Sequence, residues 1–111
     1  MKKDIEVKNQ VKKILKVVDE VAPGRSVELR IPPYAAIQCV SGSTHLRGTP
    51  PNVVEMSAQT LLKLSKSPHI WDQLCSEGAI SASGTNSNLS EIFSGVSKLI
   101  LNFDEELSDG K

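Results

Sequence analysis

Aromatic side chains and net charge are both scarce in this sequence. Its 111 residues include one tryptophan, one tyrosine and two phenylalanines, so base stacking on an aromatic platform has few candidates. Thirteen basic residues balance thirteen acidic residues, whereas nucleic-acid binders usually carry a basic excess. No apolar run approaches the ~20 residues of a membrane span, and Lys16 interrupts the apolar run near the N-terminus before a secretory signal could form. We therefore expect neither a nucleic-acid partner nor a membrane-spanning segment.

The sequence has only two cysteines, Cys39 and Cys75, and they do not form a CxxC motif. Zinc sites and thioredoxin-like redox sites therefore lack their usual signature. Cys39 lies in an apolar run typical of a strand, and Cys75 lies on the apolar side of a short helical stretch. Both are interpreted as small buried apolar residues, which fits a reducing compartment, and we expect a cytoplasmic protein.

Motifs for catalysis are missing as well. The sequence has no G-x-S-x-G elbow, no H-E-x-x-H motif and no carboxylate cluster with metal-ligand spacing. Its only histidines are His45 and His69, and no local spacing favours a metal site built from them. We therefore predict a protein that is not an enzyme, with no catalytic residue, no cofactor and no bound metal.

The spacing of apolar residues predicts a single α+β domain over residues 1–111, in which the acidic segment 104–111 is a candidate for disorder. The predicted strands are marked by alternating apolar and polar residues or by short apolar runs. They cover 26–31, 35–40, 44–47, 52–56 and 79–83. The predicted helices cover 5–21, a stretch after Ser57, 68–77 and 89–93, while 96–103 fits either a helix or a strand. Strands in a run followed by helices favour a five-stranded, mostly antiparallel sheet with helices packed on one face.

Three helix starts carry specific signals. Ser57 is a candidate cap for the helix that follows it, and Ser67 with Pro68 places a capping residue before a proline at the first helical position. Asn88 and Glu91 have the spacing of a capping box in front of the helix 89–93.

Lysines are concentrated on the face of the helix 5–21 that lies opposite its apolar stripe. A charged face of this kind is usually solvated. The alternative is a transient contact of this basic helix with an anionic membrane surface, and the sequence leaves both interpretations open.

Polar residues on the predicted strands are the one group with a chemical pattern. Arg30, Gln38, Arg47 and Glu55 form a candidate row across the sheet, where opposite charges on neighbouring strands contribute roughly 0.2–1 kcal/mol per pair. His45 lies two residues before Arg47, so both side chains share a face. A structural role is the favoured interpretation. The functional alternative is a site for an anionic headgroup in which Arg47 is a bidentate clamp.

Five stretches of the chain resemble a known family. They are RIPP (30–33), QCV (38–40), HLRGTPPNVVE (45–55), Trp71 and SEGAISASGTNSNLSEI (76–92). In this order they resemble the bacterial sterol-carrier-like family found in actinobacteria, and the resemblance covers about residues 25–95. That family is similar to the wider sterol carrier protein type 2 fold and to the C-terminal domain of mycothiol-dependent maleylpyruvate isomerases. The run RGTPPNVVE is the most specific part of the match.

The resemblance implies a five-stranded sheet, helices on one face and an apolar tunnel for lipids between them. It therefore implies that the protein binds or transfers an apolar ligand such as a lipid, a fatty acyl chain or a sterol-like molecule. The candidate lining residues are apolar positions that fit a plain core equally well: Leu29, Ile31, Ile37, Leu61, Leu64, Trp71, Leu74, Ile80 and Phe93. A structural role is assigned to the polar residues of the family motifs: Arg30, Gln38, His45, Arg47 and Glu55.

Two other functions stay open. One is a protein-interaction module with a filled core and no ligand, which would dock a partner on the polar face of the sheet. The other is an accessory domain of thiol-dependent enzymes, by analogy with the isomerases. Fold-level analogy alone does not establish either function.

Overall fold

A computed structural model of the protein describes residues 2–42 and 52–109, with side chains described for 4–42 and 52–101. The chain order is one helix, three strands, a group of helices, a fourth strand and a final helix. The helices are α1 (Lys2–Val21), α2 (Ala58–Lys66), α3 (Trp71–Ser76) and α4 (Ser90–Asp109), with a 3-10 turn at Pro68–Ile70. The strands are β1 (Val27–Ile31), β2 (Ala35–Cys39), β3 (Asn52–Met56) and β4 (Ile80–Ser83).

The sheet that these strands form is mixed, with the order β2-β1-β3-β4. The predicted hairpin is confirmed, because β1 and β2 pair antiparallel, and β3 and β4 also pair antiparallel. The prediction of a mostly antiparallel sheet is wrong, since the central strands β1 and β3 pair in parallel. The prediction of five strands is wrong for the described residues, which form four. The strand expected at 44–47 lies outside the described residues.

One face of the sheet is covered by helices, as predicted. Alternation places Val27, Leu29 and Ile31 of β1 on the covered face, where each is fully buried, and leaves Arg30 exposed on the other face. β3 repeats this pattern, with Val54 buried between exposed or half-buried neighbours. Period-two alternation is the signature of a strand with one buried face, so the helices and the inner face of the sheet enclose a single core.

The segment after β3 shows how a cap and a proline set local structure. Ser57 caps α2 as predicted, since its Oγ accepts a hydrogen bond from the backbone N–H of Thr60 at 3.1 Å. Ser67 forms no side-chain cap, and Pro68 begins a 3-10 turn rather than the predicted continuous helix. α3 begins only at Trp71. In the turn that follows α3, Gly78 adopts a positive φ of 80°.

α4 is a single helix of 20 residues. The prediction of a short helix at 89–93 followed by a break is therefore wrong, and the ambiguity at 96–103 resolves as helix. Gly95 does not interrupt the helix, because glycine costs an α-helix only about 1 kcal/mol. Near the start of α4, Asn88 Oδ1 accepts a hydrogen bond from the backbone N–H of Ser90 at 2.9 Å. The helical backbone continues through residues 104–109 of the acidic segment.

α1 and α4 pack against each other. A methyl group added at Gly95 would contact Val21 Cγ1 at 3.4 Å, which places the beginning of α4 beside the end of α1. The end of α1 is also tied to the end of β2, because the backbone N–H of Val40 donates to the carbonyl of Ala22 at 2.7 Å. Val40 adopts a positive φ of 67° at this junction.

Candidate functional site

The apolar cluster between the sheet and the helices contains eight of the nine predicted lining residues. Each is at most 4% exposed, and the eight come from the two strands β1 and β4 and from the three helices α2, α3 and α4. Two of its aromatic rings, Trp71 and Phe93, stack with centroids 6.4 Å apart. These eight side chains are Leu29, Ile31, Leu61, Leu64, Trp71, Leu74, Ile80 and Phe93. Their contact with a ligand stays a prediction.

Ile37, the ninth predicted residue, lies at the rim of this cluster and is half-buried. It lines an open groove of about 520 Å³ between α1 and β2. The remaining lining residues come from one face of α1 and from β2: Lys12, Leu15, Lys16, Asp19, Ala35 and Gln38. β2 is an edge strand in the described part of the sheet, so this groove lies at the open edge of the helix-covered face. We call it the edge groove.

The uncovered face of the sheet carries the predicted polar residues Arg30, Gln38 and Glu55, in two rows rather than one. Arg30 lies directly opposite Glu55 on the neighbouring strand, and their closest nitrogen and oxygen atoms are 4.0 Å apart. Arg30 Nε donates a shorter hydrogen bond of 3.0 Å to Glu28. Gln38 belongs to the next row, opposite Glu28, and its Oε1 accepts a hydrogen bond from Arg25 Nε at 3.2 Å.

The electrostatics of this face are those of exposed, mutually compensating groups. The hydrogen bond to Glu28, followed by the charge of Glu28, raises the pKa of Arg30 above its ordinary value. Exposed pairs of this kind contribute little to stability, typically about 0–1 kcal/mol. Arg30, Glu28 and Glu55 line an open depression of about 320 Å³ together with Tyr34 and its neighbours. This arrangement fits the structural role expected for Arg30 and Glu55.

The predicted histidine and arginine pair, His45 and Arg47, lies outside the described residues. The headgroup clamp proposed for Arg47 therefore stays a prediction. His69 is exposed in the 3-10 turn, away from the polar face of the sheet.

Asn52 is a buried polar residue that the sequence analysis missed. It is 2% exposed, and its Nδ2 donates to the carbonyl of Ser26 at 2.9 Å. Its Oδ1 accepts from the backbone N–H of Asn86 at 3.0 Å. Asn52 therefore joins the starts of β1 and β3 to the loop before α4. Its position in the sequence was the available signal. Asn52 lies two residues before Val54, so strand alternation places both side chains on the inward face of β3.

Other chemistry is limited within the described part of the chain. Those residues contain no group of three or more histidine, cysteine or acidic residues that could hold a metal ion. Cys39 and Cys75 are both free thiols. Burial raises the pKa of Cys39 to about 11, and nearby Asp19 contributes in the same direction. None of the helices within the described ranges is long and apolar enough to cross a membrane.

A comparison with known protein families finds a match that covers most of the chain. Residues 4–94 match the family model described as "Bacterial SCP ortholog". The matched range extends from α1 to the beginning of α4 and so includes the whole sheet and all eight cluster residues. None of the curated proteins compared with the chain matches it.

Proposed function

The chain belongs to the bacterial sterol-carrier-like family, and on that premise we propose that it binds or transfers an apolar ligand between its sheet and its helices without catalysing a reaction. The observation that carries this proposal is the family match over residues 4–94, because it spans every element that contributes to the apolar cluster. Candidate ligands are a fatty acyl chain, a prenyl lipid or a sterol-like molecule.

The energetics of such a carrier follow from the cluster. Each methylene that a ligand removes from water contributes roughly 0.8 kcal/mol, so a long acyl chain would supply enough affinity for selective binding. The strands are fixed to one another by backbone hydrogen bonds, whereas the helices pack on the sheet mainly through buried side chains. We therefore expect the helical layer, including the short α3, to move when a ligand enters.

The proposal also covers the compartment of the carrier and its contact with membranes. The free thiols fit a reducing compartment, and we propose the cytoplasm. Exposed lysines of α1, such as Lys8 and Lys12, support a transient contact with an anionic membrane surface during loading or release.

Leucine methyl groups provide a direct test of the carrier function. In protein labelled with ¹³C at leucine methyls, lipid that co-purifies or is added should shift the signals of Leu29, Leu61 and Leu64, which are buried. Leu99 and Leu101 are internal controls, because they are 46% and 53% exposed. Native mass spectrometry would identify any retained lipid. Absence of bound lipid, or shifts confined to the two exposed leucines, would contradict the proposal.

A second candidate function is a protein-interaction or accessory module with a filled core. The observation that favours it is the uncovered sheet face, where Arg30, Glu55 and Tyr34 border an open depression. Such a module would still bind its partner in protein whose core leucine signals do not shift when lipid is added. It would lose that partner when Glu55 is replaced by Lys, a change on the uncovered face that leaves the apolar cluster untouched.

A further inference from the structure

The edge groove combines an apolar floor with a one-sided distribution of charge. Leu15, Ala35 and Ile37 provide apolar surface, and Leu15 belongs to the buried core. Lys12 and Lys16 lie one helical turn apart on the same face of α1, and both are exposed at the rim. Within the described part of the chain neither lysine has an ion-pair partner. Two adjacent cations without a direct ion pair, beside apolar surface, match an alkyl chain with an anionic headgroup.

The opposite end of the edge groove has the opposite charge. Asp19 lies at the end where α1 approaches the end of β2, close enough to Cys39 to help raise the pKa of its thiol. Gln38 at this end is engaged with Arg25. A carboxylate is therefore repelled near Asp19 and attracted near Lys12 and Lys16, which favours one orientation of a bound amphiphile.

The position of the groove connects it to the interior. β2 is an edge strand in the described sheet, and Ile37 faces β1 residue Leu29 in the register of the sheet. Leu29 is fully buried in the apolar cluster. A chain lying on Leu15 and Ile37 would thus contact residues that border the cluster, and side chains of α1 would have to move for it to reach further in, while the strand pairings stay intact. The volume of about 520 Å³ exceeds the roughly 300 Å³ at which small-molecule pockets begin.

From these observations we propose that the edge groove is the opening through which the ligand enters, and that Lys12 and Lys16 bind its anionic headgroup. The preferred ligand class is then a single-chain anionic amphiphile such as a long-chain carboxylate, rather than a neutral sterol or prenyl alcohol. This inference rests on the proposed carrier function and specifies the headgroup of its ligand.

The test compares two probes with the same undecyl chain, sodium dodecanoate and undecyl maltoside, by calorimetric titration at low ionic strength. The wild-type chain should bind the carboxylate about tenfold more tightly, the effect expected of two exposed charge contacts. Replacing both Lys12→Gln and Lys16→Gln should reduce that preference to less than about twofold. The matched control is Lys63→Gln with Lys66→Gln on α2, which removes the same charge from an exposed surface elsewhere and should keep the preference.

Each contrary outcome has a separate meaning. If both probes bind equally to the wild-type chain, the carrier function stands and the headgroup site is refuted. If neither probe binds, the carrier function fails and the headgroup site fails with it. Loss of the preference in the Lys63 and Lys66 control as well would refute the assignment to the edge groove.

The same lysines could instead contact a membrane, and sedimentation with vesicles separates the two roles. Vesicles of phosphatidylcholine with and without phosphatidylglycerol are suitable probes. The proposal expects the Lys12 and Lys16 variant to lose the dodecanoate preference in solution, where no vesicle is present. A variant that loses binding to anionic vesicles while keeping its dodecanoate preference would refute the proposal in favour of a membrane surface.

Discussion

Asn52 links three parts of the chain through its buried side chain. Its replacement by Ala would remove the donor to Ser26 and the acceptor for the Asn86 N–H, and a buried polar group left without a partner costs about 1–3 kcal/mol. We expect Asn52→Ala to lower the free energy of unfolding by about 2–4 kcal/mol in urea denaturation. The matched control is Asn9→Ala, since Asn9 is exposed on α1. A loss at position 52 no greater than at position 9 would contradict this role.

The two free thiols should differ in reactivity. The thiolate is the nucleophile, and burial raises the pKa of Cys39 to about 11. Burial also raises the pKa of Cys75, but Cys75 is only half-buried and therefore more accessible. At pH 8, iodoacetamide should modify Cys75 before Cys39, as measured by mass spectrometry of tryptic peptides. Faster labelling of Cys39 in the folded protein would contradict the burial of its thiol.

The raised pKa of Cys39 also sets a pH dependence of stability. An unfolded thiol ionises near pH 8.5, while the folded thiol stays protonated up to about pH 11. Between these values the folded state binds more protons, so the free energy of unfolding falls as pH rises. The contribution is complete below about pH 8.5 and is lost through pH 11. Urea titrations should show a smaller decline in Cys39→Ala than in wild type over this window, and equal declines would refute the assignment.

At the scale of elements, two glycines should respond oppositely to the same substitution. Gly95 lies inside α4, where an added methyl meets Val21 Cγ1 at 3.4 Å, an ordinary contact. Gly95→Ala should stabilise the protein by up to about 1 kcal/mol through helix propensity. Gly78 has a φ of 80° with open space around it, so Gly78→Ala should destabilise by about 1–2 kcal/mol through backbone strain alone. Thermal unfolding measures both, and a loss at Gly95 would mean that α4 packs more tightly on α1 than the structure shows.

Local signals made several elements predictable from the sequence. The apolar stripe of α1, the alternation in β1 and the cap at Ser57 are each encoded within a few residues, and the structure confirms all three. The parallel pairing of β1 with β3 was not predictable in this way, because the partner of a strand depends on contacts far along the sequence. The continuous α4 was missed because Gly95 was read as a break, whereas tertiary packing readily overrides its modest cost.

The candidate site was predictable to a similar degree. The sequence identified the apolar cluster, because inward positions on strands and helices follow from periodicity alone. It also placed Arg30 and Glu55 on one face, and the structure shows them directly opposite each other. It did not find the edge groove, since the approach of Lys12 and Lys16 to Ile37 depends on how α1 lies across β2. Placement of a helix on a sheet is set by packing of the whole core, which no local pattern records.

At the scale of the whole molecule, the first and last helices pack against each other and contribute to the same core. α1 contributes Val11, Leu15 and Val18 to the core, and α4 packs on α1. The family match ends at residue 94, yet α4 continues to Asp109. The part of α4 beyond the match supplies Val96, which is fully buried, and Ile100, which packs against the core.

A chain that ends at residue 94 should therefore be much less stable than the full chain, although it keeps the whole matched range. Loss of Val96 and Ile100 uncovers the apolar stripe of α1, and fully burying one aliphatic side chain contributes about 1.5–3 kcal/mol. We expect a decrease of about 3 kcal/mol or more in the free energy of unfolding, measured in urea. Val96→Ala in the full chain should reproduce part of this decrease, whereas Leu101→Ala should have little effect because Leu101 is 53% exposed. A truncated chain as stable as the full one would show that α1 does not depend on α4 for its burial.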